Sequence, residues 1–447
     1  MKPYDSTERM EKLMKKKMMR NCTALMLVMV LAFSLVGCGI FSDGHVVKAA
    51  IPKEDASNEE NLKTWIKKGE ALSTQSFDEK TMVEFLSGGE NGVYSPTNAY
   101  IALAMLAEAC DGETREEILK LLGSDDMTAL REKAQAMWNA NYIDDENATK
   151  IANSIWLNEQ IKFRKELLDT YANSYYASTF FGKMGTSEMD ELLRKWVNEN
   201  TGHQLENETK NIETNQDTLV EILSTIFFQS KWTDRNKFMK ESTSQKAFSG
   251  KSGTKNVMMM RTSFEGEVYE TEQFAACDLE LTQGKMTFFK PKKGVEIDDI
   301  LKSGSITETL HRHETGVNPD GTSTNYDYVD VSVPKFEIHG GIEMIEGLEK
   351  LGIEKVFAPE TAEMGNLLDK TETKHKPYVS RIQHDAMVEL DEEGVTAAAY
   401  TEITVTDGAT PMMTPSVYNF NLDEPFLYAI TGNDGSLLFV GTVYDVE

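Results

Sequence analysis

Apolar and polar positions alternate along residues 382–390. Ile382, His384, Ala386, Val388 and Leu390 share one face, and Gln383, Asp385, Met387 and Glu389 share the other. Period two predicts a half-buried strand over 380–390. Asp391-Glu392-Glu393-Gly394 then reads as a turn. Beyond it the alternation resumes with opposite parity, Val395, Ala397, Ala399, Thr401, Ile403 and Val405 on one face, Thr396, Ala398, Tyr400, Glu402, Thr404 and Thr406 on the other. The pattern dissolves into Asp407-Gly408-Ala409-Thr410-Pro411-Met412-Met413-Thr414-Pro415. Taken alone, this is either a β-hairpin or a strand-competent segment running into a long exposed loop. His384, on the apolar face, reads as a structural histidine.

Helical spacing predicts helices at 97–109, 114–122, 163–176, 187–200 and 342–352. Ser95-Pro96 is a start signal for the first, and Thr114 with Glu117 a capping box for the second. Strand signals fall at 217–229, 277–283, 326–338, 380–390, 426–431 and 436–443. Helices and strands mix without regular βαβ alternation, which favours an α+β fold. From about Glu59 onward there is no linker-like segment and no fixed-period repeat, so one large domain is expected.

The N-terminus follows different rules. Lys15, Lys16, Lys17 and Arg20 precede an apolar run from Ala24 to Val36. That run is shorter than the roughly 20 residues a membrane-spanning helix needs. It reads as a signal peptide over 1–37. Leu35-Val36-Gly37-Cys38 resembles a bacterial lipobox, so Cys38 is the expected lipidation site. Two acyl chains there would suffice for stable anchoring. Plain secretion and an uncleaved anchor are the alternatives. Residues 38–60 read as a flexible tether and 61–447 as the folded domain. The expected location is the outer face of a bacterial membrane, or the medium.

The 447 residues are 40% hydrophobic and 27% charged, with a formal net charge of −27. Such acidity disfavours nucleic-acid partners and electrostatic membrane binding. Cys22 goes with the signal, leaving Cys110 and Cys277, read as buried thiols rather than a disulfide. The chain carries no G-x-S-x-G, H-E-x-x-H, P-loop or G-x-G-x-x-G pattern, so no enzyme is expected. His311-Arg312-His313-Glu314 lacks further ligands at useful spacing; neither a metal nor a cofactor is expected.

A series of landmarks resembles the serpin family across 60–447. They are Val93-Tyr94-Ser95-Pro96-Thr97-Asn98, Asp111-Gly112-Glu113-Thr114, Trp196-Val197-Asn198 and Thr218 through Trp232. Val257-Met258-Met259, Val333-Pro334-Lys335-Phe336, Glu392 through Ala399, Pro425-Phe426-Leu427 and Leu438-Phe439-Val440-Gly441 continue the order. The resemblance implies three β-sheets, eight or nine helices and an exposed reactive-centre loop.

It also implies a mechanism. A serine or cysteine protease attacks the loop, and the cut loop inserts into the main sheet and traps the acyl-enzyme. The implied hinge is Glu392, Glu393, Gly394, Val395, Thr396, Ala397, Ala398 and Ala399. Val395 stands where Ser or Thr is usual. The implied shutter and breach are Ser95, Asn98, Ser224, Trp232 and His384. Asn98 stands where Ser is usual and Ser224 where Asn is usual, an exchange expected to keep the hydrogen-bonding inventory. Counting from Glu392 puts the scissile bond at Gly408–Ala409, with Met412–Met413 as the rival. Small residues there suit elastase-like or subtilisin-like targets. The resemblance implies a monomer whose partner is its target protease. A non-inhibitory serpin acting as a surface binding protein is the alternative reading.

Overall fold

A helix that is buried on nearly every side organises the structure. The computed structural model describes residues 49–51, 64, 65, 67, 74–145, 147–210, 212–313, 320–372, 374–395 and 415–446. These fall in one compact unit, Val47–Glu447. Helix α1 (Gln75–Leu86) leads through strand β1 (Gly92–Tyr94) to α2 (Pro96–Ala109). Every residue of α2 except Ala102 is buried, as a helix enclosed by other elements requires. Pro96 supplies its first turn, and the Ser95 side chain accepts from Asn98 N at 3.3 Å.

The chain continues through α3 (Gly112–Leu122), α4 (Met127–Asn141), β2 (Thr149–Asn158), α5 (Lys165–Ser174), β3 (Ala177–Gly182), α6 (Ser187–Asn200) and α7 (Glu206–Thr209). Strands β4 (Val220–Phe228), β5 (Ser230–Lys231), β6 (Ser244–Gly250), β7 (Gly253–Glu270), β8 (Phe274–Glu280) and β9 (Lys285–Pro291) follow. Then come α8 (Ile297–Lys302), α9 (Ser305–Leu310), β10 (Thr322–Pro334), β11 (Phe336–Glu343) and α10 (Ile345–Lys350). The last strands are β12 (Gln383–Leu390), β13 (Gly394–Val395), β14 (Val417–Asn421), β15 (Phe426–Thr431) and β16 (Leu437–Val443).

The strands form three sheets, as expected. A nine-stranded sheet runs β1-β16-β15-β9-β8-β7-β10-β14, with β6 also on β7. A four-stranded sheet runs β11-β12-β13-β5, and a three-stranded one β3-β2-β4. With its helices the fold is α+β. Ten α-helices lie among the described residues, against eight or nine expected; the four-residue α7 is among them.

Two faces of β4 are used differently. Val220, Ile222 and Ile226 pack into the core that contains α2. Leu223, of opposite parity, packs with Trp156 on β2 and with Met189, Leu193 and Val197 on α6. Helices α2 and α6 therefore cover opposite faces of the three-stranded sheet.

Three local expectations differ from the structure. Thr114 and Glu117 form no capping box, because α3 begins at Gly112. Glu363 Oε2 instead accepts from Glu113 N at 2.7 Å and Thr114 N at 3.4 Å. Glu117 reaches away to Glu354 N and Lys355 N. The strand expected over 326–338 is interrupted at Lys335, between β10 and β11. The helix expected over 342–352 covers only 345–350, because Ile342 and Glu343 end β11. In the segment read as a tether, Ala50 N donates to Ala172 O on α5 at 3.1 Å.

Candidate functional site: the seam beside the hinge

Strand β5 continues the line of β4, so two half-sheets face each other along one seam. At its head Gly394 and Val395 form a short strand wedged between them. Leu390 pairs with Val395 on one side, and Gly394 and Val395 pair with Lys231 and Ser230 on the other. Below this wedge no ladder joins β4 to β12 among the described residues.

The turn into the wedge is built by Asp391. Its Oδ1 accepts from Glu393 N at 2.8 Å and Gly394 N at 3.3 Å. Gly394 is a steric requirement. A Cβ there would lie 2.1 Å from Ser230 O, at φ +155°. Val395 is 2% exposed, so the first hinge residue after the glycine already occupies the interior.

The two acidic residues of the turn are tied to different segments, Glu392 to Lys335 between β10 and β11 and to Thr243 just before β6, Glu393 to Lys240 in the turn before β6. Glu392 is buried and ion-paired with Lys335, and Thr243 Oγ1 donates to its Oε1 at 2.7 Å. Burial pushes the Glu392 carboxyl up, but Lys335 and Thr243 outweigh it and hold the group below its ordinary range. Glu393 pairs with Lys240 at 2.7 Å. Trp232 closes the head of the seam: its backbone N donates to Glu393 O at 3.2 Å and its Nε1 to Asp391 O at 3.0 Å.

Further down, His384 on β12 is fully enclosed. Its Nε2 accepts from Ser95 N at 3.0 Å, so Nδ1 carries the proton of the neutral ring. Burial lowers its pKa to about 4. The Tyr94 ring meets it edge-on at 5.1 Å.

The expected exchange between Asn98 and Ser224 does not preserve the bonding. Asn98 Oδ1 and Ser224 Oγ are both buried without a hydrogen-bond partner among the described residues. A serine hydroxyl is shorter than an asparagine amide, and Ser224 lies across the unladdered seam from His384.

The far end of the loop is also anchored. Asp327 Oδ2 accepts from Ser416 N at 2.7 Å and Ser416 Oγ at 2.9 Å. These bonds hold the Asp327 carboxyl below its usual range. A bulge in β10 between Tyr326 and Val329 presents Asp327 for this contact. Strand β14 then runs parallel to β10.

Sequence reasoning missed Lys335, Thr243, Lys240 and Asp327, because all act through contacts distant in sequence. Asp391 was legible, as an acid opening a turn. Thr396, Ala397, Ala398, Ala399, Gly408, Ala409, Met412, Met413 and Cys38 lie outside the described residues. Cys110 and Cys277 are free and buried, and burial pushes the Cys110 thiol up to about 12. Among the described residues no cluster of His, Cys, Asp or Glu could hold a metal ion.

The family model described as serpin (serine protease inhibitor) matches residues 74–446. The leukocyte elastase inhibitor of Homo sapiens is 26% identical over 370 residues, covering 78% of this chain and 91% of that protein. A serpin-like protein of Thermococcus kodakarensis is 25% identical over 393 residues, covering 83% and 84%. Among solved structures, the thermophilic serpin tengpin in its native state superposes with a TM-score of 0.72 at 23% identity, covering 90% of this chain and 98% of that one. Thyroxine-binding globulin in complex with thyroxine gives a TM-score of 0.68 at 20% identity, covering 85% and 99%. The chain belongs to the serpin family, a family of protease inhibitors rather than enzymes.

Proposed function

We propose that this chain is a suicide-substrate inhibitor of serine or cysteine proteases, and that the segment from Val395 to about Val405 enters the seam once the loop is cut. One observation carries the reading. Gly394 and Val395 are already paired at the head of a seam in which β4 and β12 share no ladder. The residues that follow on the Val395 face, Ala397 and Ala399, are small enough to enter behind it.

In the proposed step the protease nucleophile adds to the Gly408 carbonyl carbon. The Gly408–Ala409 amide breaks, and the Ala409 amine leaves with a proton. An ester or thioester remains on Gly408, and insertion carries the protease away before water cleaves it. Small residues at the bond suit an elastase-like or subtilisin-like pocket. With such a protease, the purified domain gives a complex that survives SDS. Mass spectrometry of the released C-terminal fragment finds it starting at Ala409. A loop cut without any complex would leave a substrate or a binding protein, the alternative reading. A fragment starting at Met413 would move the bond to Met412–Met413.

The same reading places a monomer at the outer face of a bacterial membrane through Cys38, with 1–37 removed and 61–447 as the inhibitory domain. The lipobox pattern at 35–38 supports it. Cys38→Ala should shift the protein from the membrane fraction to the soluble one. Unchanged partitioning would rule out the anchor.

A further inference from the structure

Helix α7 belongs to the β4 half of the seam. Thr209 is buried, and its Oγ1 donates to Asn198 Oδ1 on α6 at 3.0 Å. Helix α6 in turn packs on β2 and β4. From α7, Glu208 reaches the opposite half. Its Oε1 lies 3.0 Å from His339 Nδ1 on β11. Strand β11 is laddered to β12, with His339 opposite Met387. His339 Nε2 lies 2.7 Å from Glu337 Oε1 on the same strand, which fixes the ring. The second Glu208 oxygen is buried without a hydrogen-bond partner among the described residues, so the His339 contact is what holds the carboxylate in place.

This pair therefore crosses the seam below the hinge wedge. The wedge sits at the level of Leu390, and His339 lies three residues lower, at Met387. A strand growing downward from Val395 between β4 and β12 must drive apart the elements that Glu208 and His339 tie together.

We propose that the Glu208–His339 contact is a latch across the seam that slows strand entry between β4 and β12. This rests on the insertion reading given under Proposed function. An interaction present in the closed state and lost in the transition state of opening slows opening when it is kept and speeds it when it is removed. A half-exposed pair contributes under about 1 kcal/mol, which corresponds to a rate change of about two- to fivefold.

The chain contains its own control. His203 Nδ1 and Glu206 Oε1 form a pair of the same kind, at 2.7 Å, but both residues lie on the α6–α7 side. The probe is a synthetic peptide with the sequence of residues 395–408, incubated with the intact protein. Annealing is followed by the rise in thermal stability of the complex. Glu208→Gln and His339→Gln should anneal about two- to fivefold faster than wild type, and the double variant no faster than either single one. Glu206→Gln should match wild type. Glu208→Gln annealing at the Glu206→Gln rate would overturn the latch while leaving insertion standing. Failure of both wild type and Glu208→Gln to take up peptide would overturn insertion and the latch together. Uptake by Glu208→Gln alone would support both.

Discussion

Asp78 lies wholly inside the protein on α1, where Thr74 Oγ1 donates to its Oδ2 at 2.7 Å. Burial raises its pKa to about 7, and the Thr74 bond and the charge of Lys133 offset this only in part. Between about pH 4 and pH 7 the folded chain thus holds a proton that the unfolded chain releases. Stability from this site is present below that interval and is lost as pH rises through it. Asparagine copies the shape of the protonated acid. The advantage of Asp78→Asn over wild type should grow by roughly 2–3 kcal/mol between pH 5 and pH 8, the part of the shift that lies in that interval. Denaturant titrations at the two pH values check this. A pH-independent difference would show that the carboxyl does not titrate in that range. His384 has the opposite sign: its lowered pKa removes stability as pH falls from about 6.5 toward 4.

At the scale of elements, the hinge shows what a sequence can and cannot announce. The parity switch between 390 and 395 is visible in the chain, because period two reports which side chains share a face. The structure puts Leu390 and Val395 opposite one another. The same parity assigns Ala397 to the inward face. Ala397→Arg should therefore leave loop cleavage normal and abolish the SDS-stable complex, since a buried unpaired charge costs several kcal/mol. An unaltered inhibition stoichiometry would exclude insertion with that parity. Strands β12, β15 and β16 and helices α2, α5 and α6 were legible because each buries one face or is apolar throughout. The 18-residue β7 was missed: its exposed run Gly253–Asn256 carries no apolar signal, and Met258, Met259 and Met260 break alternation. The cap on α3 was misread because Glu363, about 250 residues away, supplies it. The ion pairs of Glu392 and Glu393 escaped for the same reason.

At the scale of the molecule, the seam is a strand-length stretch in which no ladder joins the two half-sheets among the described residues. Strand β4 offers nine residues and β12 eight, and among the described residues only the two-residue β13 joins the halves by a ladder, at the head. Filling that length would form about ten ladder hydrogen bonds, each worth roughly 1 kcal/mol net. Val395 is buried already, so the new apolar burial would come from Ile403 and Val405 at roughly 1.5–3 kcal/mol each. The gain is on the order of 10 kcal/mol before the entropy of ordering the loop is subtracted. Intact, the loop is tethered at both ends, by the wedge at Val395 and by the Asp327–Ser416 clamp. The Asp327–Ser416 clamp holds the far end back from the seam until the chain is cut before it. A single cleavage within 400–415 should therefore raise the melting temperature by roughly 10 °C or more. Scanning calorimetry of intact and nicked protein makes the comparison, with the nick confirmed by mass. An unchanged melting temperature would mean that the native fold stores no insertion energy, and no choice of scissile bond or target protease would rescue the trapping mechanism.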